Sequence, residues 1–422
     1  MSWHSHLWHP TTQVATSPVP LQVRAAKGCE LELADGRRLI DAISSWWVTL
    51  HGHSEPSIAA AIAHQAQQLE QVIFANFTHE PAEQLATRLS MLTGLERLFF
   101  SDNGSTAIEV ALKMAWQWWV NRGQPRQQLI AFAGAYHGDT FGAMAVGERS
   151  LFTAPYEALL FDVCRVAWPH THWEDGTVEQ REEQALSQLD VALKTPTAAV
   201  ILEPLLQGAS GMRLVRSGFV RSVAERVRAS GALLIADEVM TGFGRTGALF
   251  ACQKAGVQPD LMALSKGLTG GFLPMGVTMA SERLYQGFIG DQPELTFFHG
   301  HSFTANPLGC AAALASLDLL QQQPERFQQF QARHSPLLEQ LAQDPRVRRP
   351  RCLGTIAAFD VEVGDNSYLN PVGKQIQRLC LAQGVYLRPL GNTVYLLPPL
   401  CISDRQLTRC YDVLAQVLQQ IS

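Results

Sequence analysis

Short, continuous apolar runs alternate with longer stretches of helical periodicity through most of the chain. ALLIA (232–236) and LMALS (261–265) lack polar alternation, and Leu129 to Ala133 and Ala198 to Leu202 are two further predicted strands. Unbroken apolar runs are typical of strands that are buried on both faces of a parallel sheet. Because such strands alternate with helices over more than half of the chain, the pattern predicts an α/β fold with a large, mostly parallel sheet.

The N-terminal segment follows a different pattern. Cys29 to Leu33 alternates apolar and polar positions, Asp35 and Gly36 predict a turn, and Arg38 to Ile43 resumes the alternation. This combination predicts a β-hairpin. We therefore expect residues 1–50 to contribute to a small domain.

The composition changes again near Gln321, where glutamines and prolines punctuate a polar helical stretch. The rest of the chain predicts strands around Arg351 to Glu362, a helix near Val372 to Gln383, a strand pair within Val385 to Leu397, and a final helix. This succession is typical of a smaller α+β unit. We assign residues 51–315 to the large domain and 316–422 to this C-terminal small domain.

Capping residues predict where several helices begin and end. Ser54 is expected to cap a helix that continues through Val72. Pro81 is expected to open a helix that ends at Gly94, and an alanine-rich helix follows Asn306.

Composition and charge exclude several classes of protein. The chain has 422 residues, of which 46% are hydrophobic and 17% charged, which fits neither a disordered nor a membrane protein. A net charge of −5 offers no broad basic surface for nucleic acid. The N-terminus MSWHSHLWHP lacks the apolar core of a signal peptide, so a cytoplasmic location is expected.

No metal site is predicted from the cysteines and histidines. The eight cysteines are scattered without C-x-x-C pairs, so buried free thiols are expected. His4, His6 and His9 form one histidine group, and His299 and His301 form another. Because no acidic or thiol partner completes either group, we interpret neither as a metal site.

The candidate chemistry lies at the ends of two apolar runs. Asp237 ends one run and Lys266 directly follows the other, ahead of a glycine-rich loop. Ligands of open α/β sheets bind at the carboxyl ends of the strands. A lysine beside a loop can be an ordinary surface residue. A desolvated lysine, however, is a nucleophile toward carbonyls, and an acid can keep a heterocyclic nitrogen protonated, as pyridoxal phosphate chemistry requires.

A competing motif overlaps this stretch. Gly242, Gly244 and Gly247 satisfy G-x-G-x-x-G, and Asp260 stands about 20 residues further on. The glycines begin too far from the end of the strand, and Asp237 would oppose a bound pyrophosphate with like charge. The dinucleotide interpretation is therefore the weaker of the two.

Two loops offer groups that a phosphorylated ring cofactor needs. Gly104 and Ser105 stand between a predicted strand and a long helix, where free backbone amides suit a phosphate, although a simple helix cap has the same residues. Tyr136 lies in a glycine-flanked loop after a strand and could stack on a ring or simply pack.

Tryptophan and arginine positions suggest where a substrate lies. Trp46 and Trp47 stand in a loop between a strand and a helix, where core packing and a binding role remain equally open. Arg388 stands in an otherwise apolar predicted strand, in the middle of YLRPLGNTVYLLPP. An arginine among apolar neighbours usually has an anionic partner, and a substrate carboxylate is one candidate.

Motifs along nearly the whole chain carry a family resemblance. They read LWHP, DGRRLIDAISSWW, FFSDNGSTAIEVALKM, AYHGDTFGAM, VILEPLLQGASGM, LLIADEVMTGFGRTG, ALSKGLTGG, HGHSFTANPL and GVYLRPLGNTVYLLPP. With these motifs the chain resembles the class III pyridoxal phosphate aminotransferases of fold type I. SSWW and LRP resemble the branch that serves biotin biosynthesis, which implies transfer of an amino group from S-adenosyl-L-methionine to 8-amino-7-oxononanoate.

The resemblance also implies roles for individual residues. Lys266 would form the Schiff base with pyridoxal 5'-phosphate and move the proton, Asp237 would pair with the ring nitrogen, and Tyr136 would stack near the ring. Gly104 and Ser105 would bind the phosphate.

Other residues are implied in substrate binding and in a shared site. Trp46, Trp47 and Gly300 would contact the substrate, together with Tyr136 and Lys266, and Arg388 would hold the carboxylate of the oxo acid. His301 and Ser302 would reach the phosphate of the neighbouring subunit, which implies a homodimer with shared active sites.

One position departs from the family pattern. Thr11 stands directly after WHP, where the family usually has a tyrosine that contacts both substrates. The identity of the amino donor therefore stays open: lysine is an alternative, as is 4-aminobutyrate in another class III enzyme. An aminomutase would share Lys266 and Asp237 without an external donor, and a non-catalytic binding protein would need neither.

Overall fold

The computed structural model describes residues 5–362 and 370–421. In chain order the strands are β1 (Val23–Lys27), β2 (Glu30–Leu33), β3 (Arg38–Asp41), β4 (Arg97–Ser101), β5 (Gln128–Phe132), β6 (Cys164–Val166), β7 (Thr197–Leu202), β8 (Leu206–Gln207), β9 (Arg213–Leu214), β10 (Leu233–Asp237), β11 (Leu261–Leu264), β12 (Gly276–Ala280), β13 (Val347–Leu353), β14 (Ile356–Val361), β15 (Val385–Tyr386) and β16 (Thr393–Leu396). The helical segments are α1 (Ser44–Trp47), α2 (Pro56–Ala66), α3 (Glu80–Thr93), α4 (Gly104–Asn121), α5 (Phe141–Val146), α6 (Val178–Ala192), α7 (Ser217–Ser230), α8 (Ala251–Ala255), α9 (Glu282–Tyr285), α10 (Pro307–Gln322), α11 (Glu325–Gln328), α12 (Phe330–Leu341), α13 (Pro371–Ala382) and α14 (Asp404–Leu418). Short 3-10 helices cover Ala154–Leu159, Lys266–Thr269, Gln286–Phe288 and Pro293–Leu295.

The largest sheet of the described residues has seven strands in the order β4-β12-β11-β10-β7-β5-β6. The pairs β11/β10, β10/β7, β7/β5 and β5/β6 are parallel, whereas β12 runs antiparallel to both of its neighbours. The prediction of a mostly parallel α/β sheet is thereby confirmed.

Both faces of the large sheet are covered by helices. On β10, Leu233 and Ile235 pack into the cluster that contains α4, whereas Leu234 points to the opposite cluster with α7. Every residue of β10 is buried, because successive side chains point to opposite faces of the sheet and helices cover both faces. This two-sided burial explains why ALLIA shows no polar alternation.

The N-terminal hairpin is confirmed, and it belongs to a separate four-stranded sheet in the order β1-β2-β3-β15. Gly36, in the turn between β2 and β3, has a φ of +88°, which a residue with a side chain rarely adopts. β3 pairs in parallel with β15, so the first and last parts of the chain share a sheet.

The predicted strand pair within 385–397 is wrong as a pair. β15 adds to β3, whereas β16 pairs with β14 in a three-stranded sheet of β13, β14 and β16. Pro389 interrupts the stretch because it has no N–H for a ladder hydrogen bond. The chain therefore crosses from one sheet to the other between Tyr386 and Thr393.

The helix predicted from Ser54 to Val72 begins and ends elsewhere. α2 begins at Pro56, its cap is Glu55, whose carboxylate accepts from the Ser57 amide, and it ends at Ala66. Ser54 lies before the cap with a left-handed φ of +53°, and its hydroxyl donates to the Ala26 carbonyl.

Other predicted helix boundaries agree closely with the structure. α3 has proline in its first turn and ends at the left-handed residue Gly94, and Asn306 caps α10. Within residues 5–362 and 370–421, no helix is long and apolar enough to cross a membrane.

All eight cysteines are free thiols, with Cys164 and Cys401 half-buried and the others buried. Cys29 and Cys401 have their sulfur atoms 3.4 Å apart. No group of three or more histidine, cysteine or acidic residues in the described part of the chain could hold a metal ion. His4 lies outside the described residues.

Candidate active site

Asp237 lies at the carboxyl end of β10, where it is only 5% exposed. Its Oδ2 lies 2.7 Å from Nδ1 of His137, and its Oδ1 accepts a hydrogen bond from the Val239 amide. A hydrogen bond thus joins the Asp237 carboxyl group to the His137 ring. The fold therefore holds Asp237 in one orientation from two sides.

Lys266 reaches the same edge of the sheet from the neighbouring strand. β10 and β11 are in parallel register with Asp237 opposite Ala263, and Lys266 follows two residues after β11. Burial lowers the pKa of the Lys266 ammonium, while the negative charge of Asp237 acts in the opposite direction. A larger fraction of Lys266 is thus neutral and nucleophilic than for a lysine in water.

Two further buried carboxyl groups, Glu238 and Glu203, lie near Asp237 and accept different hydrogen bonds. Glu238 accepts from the Thr241 hydroxyl and from the amides of Ala251 and Cys252, so it anchors the start of α8. Glu203, at the end of β7, accepts from the amides of Tyr136 and Gly208. Burial raises the pKa of Glu203 to about 7.

The N-terminus of α4 approaches this edge closely. The helix begins with a capping box in which Asn103 and Thr106 satisfy each other's amides. The amides of Gly104 and Ser105 have no carbonyl within the helix to donate to, since they precede its first repeating hydrogen bond. A Cβ on Gly104 would lie 2.7 Å from Val239 Cγ1, so glycine allows the helix to approach the end of β10.

The loop from Gly134 to Asp139 connects these groups. Ser105 Oγ accepts from the Asp139 amide at 3.0 Å, so the loop is tied to the start of α4. Tyr136 is 41% exposed and held at its amide by Glu203. His137 is buried, and among the described residues its Nε2 has no hydrogen-bond partner. The sequence-based reasoning missed His137, although it directly follows the candidate stacking residue.

α1 is a single left-handed turn. Ser44, Ser45, Trp46 and Trp47 all have positive φ angles, of 50°, 44°, 67° and 76°. For residues with a Cβ this conformation costs about 1–2 kcal/mol per residue. Such strain persists only where surrounding contacts determine the conformation, and it is concentrated at functional sites.

The two tryptophans of this turn face different parts of the site. Trp47 is buried, donates from its indole N–H to the Tyr395 hydroxyl, and has Lys266 Nζ 5.0 Å from its ring centre. Trp46 is 42% exposed, and the Arg388 guanidinium lies 4.2 Å above its ring. Trp47 is therefore part of the buried core beside Lys266, whereas Trp46 is available at the surface beside Arg388.

Arg388 lies between β15 and β16 rather than in a strand, which corrects the sequence-based placement. Its Nη2 donates to the Thr11 hydroxyl at 3.0 Å, and it forms no ion pair with any described residue. A half-buried arginine with only a hydroxyl and a ring as neighbours retains donors for an incoming carboxylate.

Gly300, His301 and Ser302 are not brought to Lys266 within the chain. Ser302 accepts at its carbonyl from the Gln71 side chain, and His301 bonds with Thr304. In the described part of the chain no hydrogen bond joins these three residues to Lys266 or Asp237. The His301 Nε2 is buried and unpartnered there.

The competing dinucleotide motif has no matching geometry. Gly244 packs closely against Phe327, and the next helix begins only at Ala251. Asp260 is occupied by the Leu234 amide and by Arg283.

The residues present fit pyridoxal phosphate. A lysine of lowered pKa and a fixed carboxylate meet at one sheet edge, and two amides without partners in their own helix point from the start of α4. These groups suit an aldehyde carbon, a ring nitrogen and a phosphate, respectively.

Comparison with known proteins agrees with this chemistry. The profile of the family described as Aminotransferase class-III matches residues 11–418. The chain is 57% identical over the full length of both chains to adenosylmethionine-8-amino-7-oxononanoate aminotransferase of Synechococcus elongatus.

Solved structures resemble the fold along its whole length. The adenosylmethionine-8-amino-7-oxononanoate aminotransferase of Methanocaldococcus jannaschii superposes with a TM-score of 0.92 at 32% identity, covering 99% of this chain and 97% of that one. An amine transaminase from an uncultivated Pseudomonas species, in its pyridoxal phosphate-bound form, superposes with a TM-score of 0.93 at 29% identity, covering both chains completely.

Proposed function

We propose a specific reaction for this chain, which belongs to the class III aminotransferases. It transfers an amino group from S-adenosyl-L-methionine to 8-amino-7-oxononanoate in biotin biosynthesis, with pyridoxal 5'-phosphate as cofactor. The observation that carries the reaction class is the meeting of Lys266 and Asp237 at one sheet edge. The choice of substrates rests on the names of relatives that match the chain from end to end.

The cofactor, when bound, supplies an electron sink for the bonds of the substrate carbon that carries the amino group. Lys266 would bind it through Nζ, and the same atom, once released, would move the proton at that carbon. Asp237, held by His137, would keep a proton on the ring nitrogen. The amides of Gly104 and Ser105 would bind the phosphate, and Tyr136 would cover the ring.

The other side of the site would recognise the substrates. Arg388 has donors available for the carboxylate of the oxo acid, and Trp46 and Trp47 would shield its aliphatic chain from water. The sulfonium of the proposed donor could lie against an indole face as a cation–π partner.

One observation favours a second candidate donor. Thr11 contacts Arg388 where the family resemblance implies a tyrosine ring, so a contact surface for adenosylmethionine is smaller here. Lysine as donor to the same oxo acid is therefore the alternative.

A single-turnover experiment tests the proposal. Adenosylmethionine, lysine and 4-aminobutyrate are added separately to the purified, cofactor-loaded protein while the visible absorbance of the cofactor is followed. Loss of absorbance with adenosylmethionine, restored by 8-amino-7-oxononanoate, supports the proposal. If only lysine removes the absorbance, lysine is the amino donor. If only 4-aminobutyrate removes the absorbance, the biotin-pathway assignment is overturned.

We also propose a homodimer in which Gly300, His301 and Ser302 serve the site of the neighbouring subunit. The support is that, among the described residues, no hydrogen bond joins this loop to Lys266 of its own chain, while Phe298 and Phe303 beside it are 74% and 64% exposed. Mixing the inactive variants Lys266→Ala and His301→Ala should restore part of the activity if sites are shared, because one site of the mixed dimer contains both native residues.

The division into residues 1–50, 51–315 and 316–422 is kept as part of the proposal, as is the cytoplasmic location. The pairing of β3 with β15 supports joining the N-terminal segment to the C-terminal unit.

A further inference from the structure

The left-handed turn α1 is anchored by one carboxylate that the proposed chemistry does not use. Asp41 ends β3 and is completely buried. Its Oδ1 accepts from the Ile43 amide at 3.2 Å, and its Oδ2 accepts from the Ser45 hydroxyl at 2.8 Å. Nε2 of His53 lies 2.9 Å from the same Oδ2. Asp41 therefore binds both the entry to the turn and its second residue.

The anchoring continues on the far side of the turn. The Ser44 hydroxyl donates to the Leu397 carbonyl at 2.8 Å, and Arg245 donates to the Trp47 carbonyl. These contacts fix the ends of the turn, whereas Ser45 in its middle is held at its side chain by Asp41.

The consequence of this geometry reaches the substrate side. Trp46 directly follows Ser45, and its ring supports Arg388 from below. Arg388 stands two residues after Tyr386, which is opposite Asp41 in the parallel pair of β3 and β15. Asp41 thus contacts the turn that carries Trp46 and also pairs with the strand that leads to Arg388.

We propose that Asp41 is a positioning residue for recognition of the substrate carboxylate: it holds α1 left-handed so that Trp46 presents Arg388 in its binding position. This inference rests on the proposed function only for the identity of the substrate. If the turn relaxes to ordinary backbone angles, we expect Trp46 to move away from the guanidinium, whereas Trp47 beside Lys266 stays held by Tyr395 and Arg245.

The first test is Asp41→Asn in the cofactor-loaded protein. The amide can still accept from Ile43 but loses the charge that pairs with His53. We expect KM for 8-amino-7-oxononanoate to rise about ten- to a hundredfold with little change in kcat, since losing a hydrogen bond between Arg388 and the substrate carboxylate has an effect of this size on binding. The matched control is Asp360→Asn, a buried carboxylate that bonds Arg351 and Thr393 away from the turn. It should reduce stability without raising KM.

A second readout does not depend on turnover. Nonanoate is an unreactive nine-carbon carboxylate, and calorimetry measures its binding to the wild-type protein and to both variants. Weaker binding to Asp41→Asn alone supports the inference, even if the proposed reaction proves wrong. Equal binding to wild type and Asp41→Asn would overturn it, even if the reaction is as proposed.

Backbone conformation gives a third, independent comparison. Ser45→Ala and Ser45→Gly both remove the hydroxyl that bonds Asp41, but only glycine adopts a φ of +44° without strain. If the left-handed turn matters, Ser45→Gly should bind nonanoate more tightly than Ser45→Ala. The opposite order, or equal affinities, would overturn the inference that Asp41 acts by holding the turn in its left-handed conformation.

Discussion

Replacing Gly138 by alanine tests whether the loop with Tyr136 and the start of α4 form one cofactor-binding unit. Gly138 has a φ of +133°, and a Cβ on it would lie 1.9 Å from Ser105 Oγ and 2.8 Å from Ser105 Cα. The first distance could be relieved by rotating the hydroxyl, but the second involves the backbone. Either the loop or the first turn of α4 must therefore move.

The size of the effect follows from two costs. A residue with a side chain in so sparsely populated a backbone region costs about 1–3 kcal/mol. Overpacking against a fixed neighbour adds about 1–3 kcal/mol. Because both costs fall on groups that would touch the phosphate and the ring, we expect the affinity for pyridoxal phosphate to fall about thirtyfold or more.

The assay is a titration of the cofactor-free protein with pyridoxal phosphate, followed by visible absorbance. Gly123→Ala is the matched control, because Gly123 also has a positive φ, +67°, but a Cβ there meets nothing within 4 Å. It should lose some stability and keep its affinity for the cofactor. Native affinity in Gly138→Ala would refute the reasoning, and an equal loss in both variants would assign the effect to backbone strain alone.

Two further predictions concern Thr11 and Glu203. Thr11→Val removes the acceptor of the Arg388 hydrogen bond at constant volume, and the loss of about 0.5–1.5 kcal/mol should raise KM for the oxo acid about two- to tenfold. Burial raises the pKa of folded Glu203 to about 7 from an ordinary value of 4.5. The folded protein therefore keeps a proton that the unfolded chain releases, and the free energy of unfolding falls as pH rises through this window. Glu203→Gln should remove about 2.5 kcal/mol of the fall in the free energy of unfolding between pH 5 and pH 8, measured by urea unfolding at both pH values.

The placement of the residues proposed to bind the cofactor could be predicted from the sequence, because it follows from strand register. Asp237 ends β10 and Lys266 closely follows the end of β11, and the carboxyl ends of neighbouring parallel strands lie at one edge of the sheet. Gly104 and Ser105 follow β4 in the same way. Local patterns were sufficient here, because each residue needed only its place at the end of a strand.

His137 and Glu203 escaped prediction for a physical reason. Both side chains are buried: His137 bonds with Asp237, and Glu203 accepts from the Tyr136 amide. These contacts join positions that are far apart along the chain. A histidine in a loop and a glutamate before a proline have many ordinary explanations, and no local pattern distinguishes them. Of the two, His137 has the clearer signal in the sequence, because it lies in the same loop as the candidate stacking residue Tyr136.

The substrate side could not be predicted because it is formed where the two ends of the chain meet. No local preference favours four successive residues with side chains in left-handed conformation, and SSWW alone predicts an ordinary loop. The conformation is imposed by Asp41 from one strand and by Leu397 and Tyr395 from the other end of the chain. Since Arg388 and Thr11 also meet there, the proposed carboxylate-binding side depends on contacts between the N-terminal and C-terminal parts of the chain, whereas Lys266 and Asp237 depend on the central sheet. Substitutions at the junction should therefore alter which substrate binds while the chemistry at Lys266 persists.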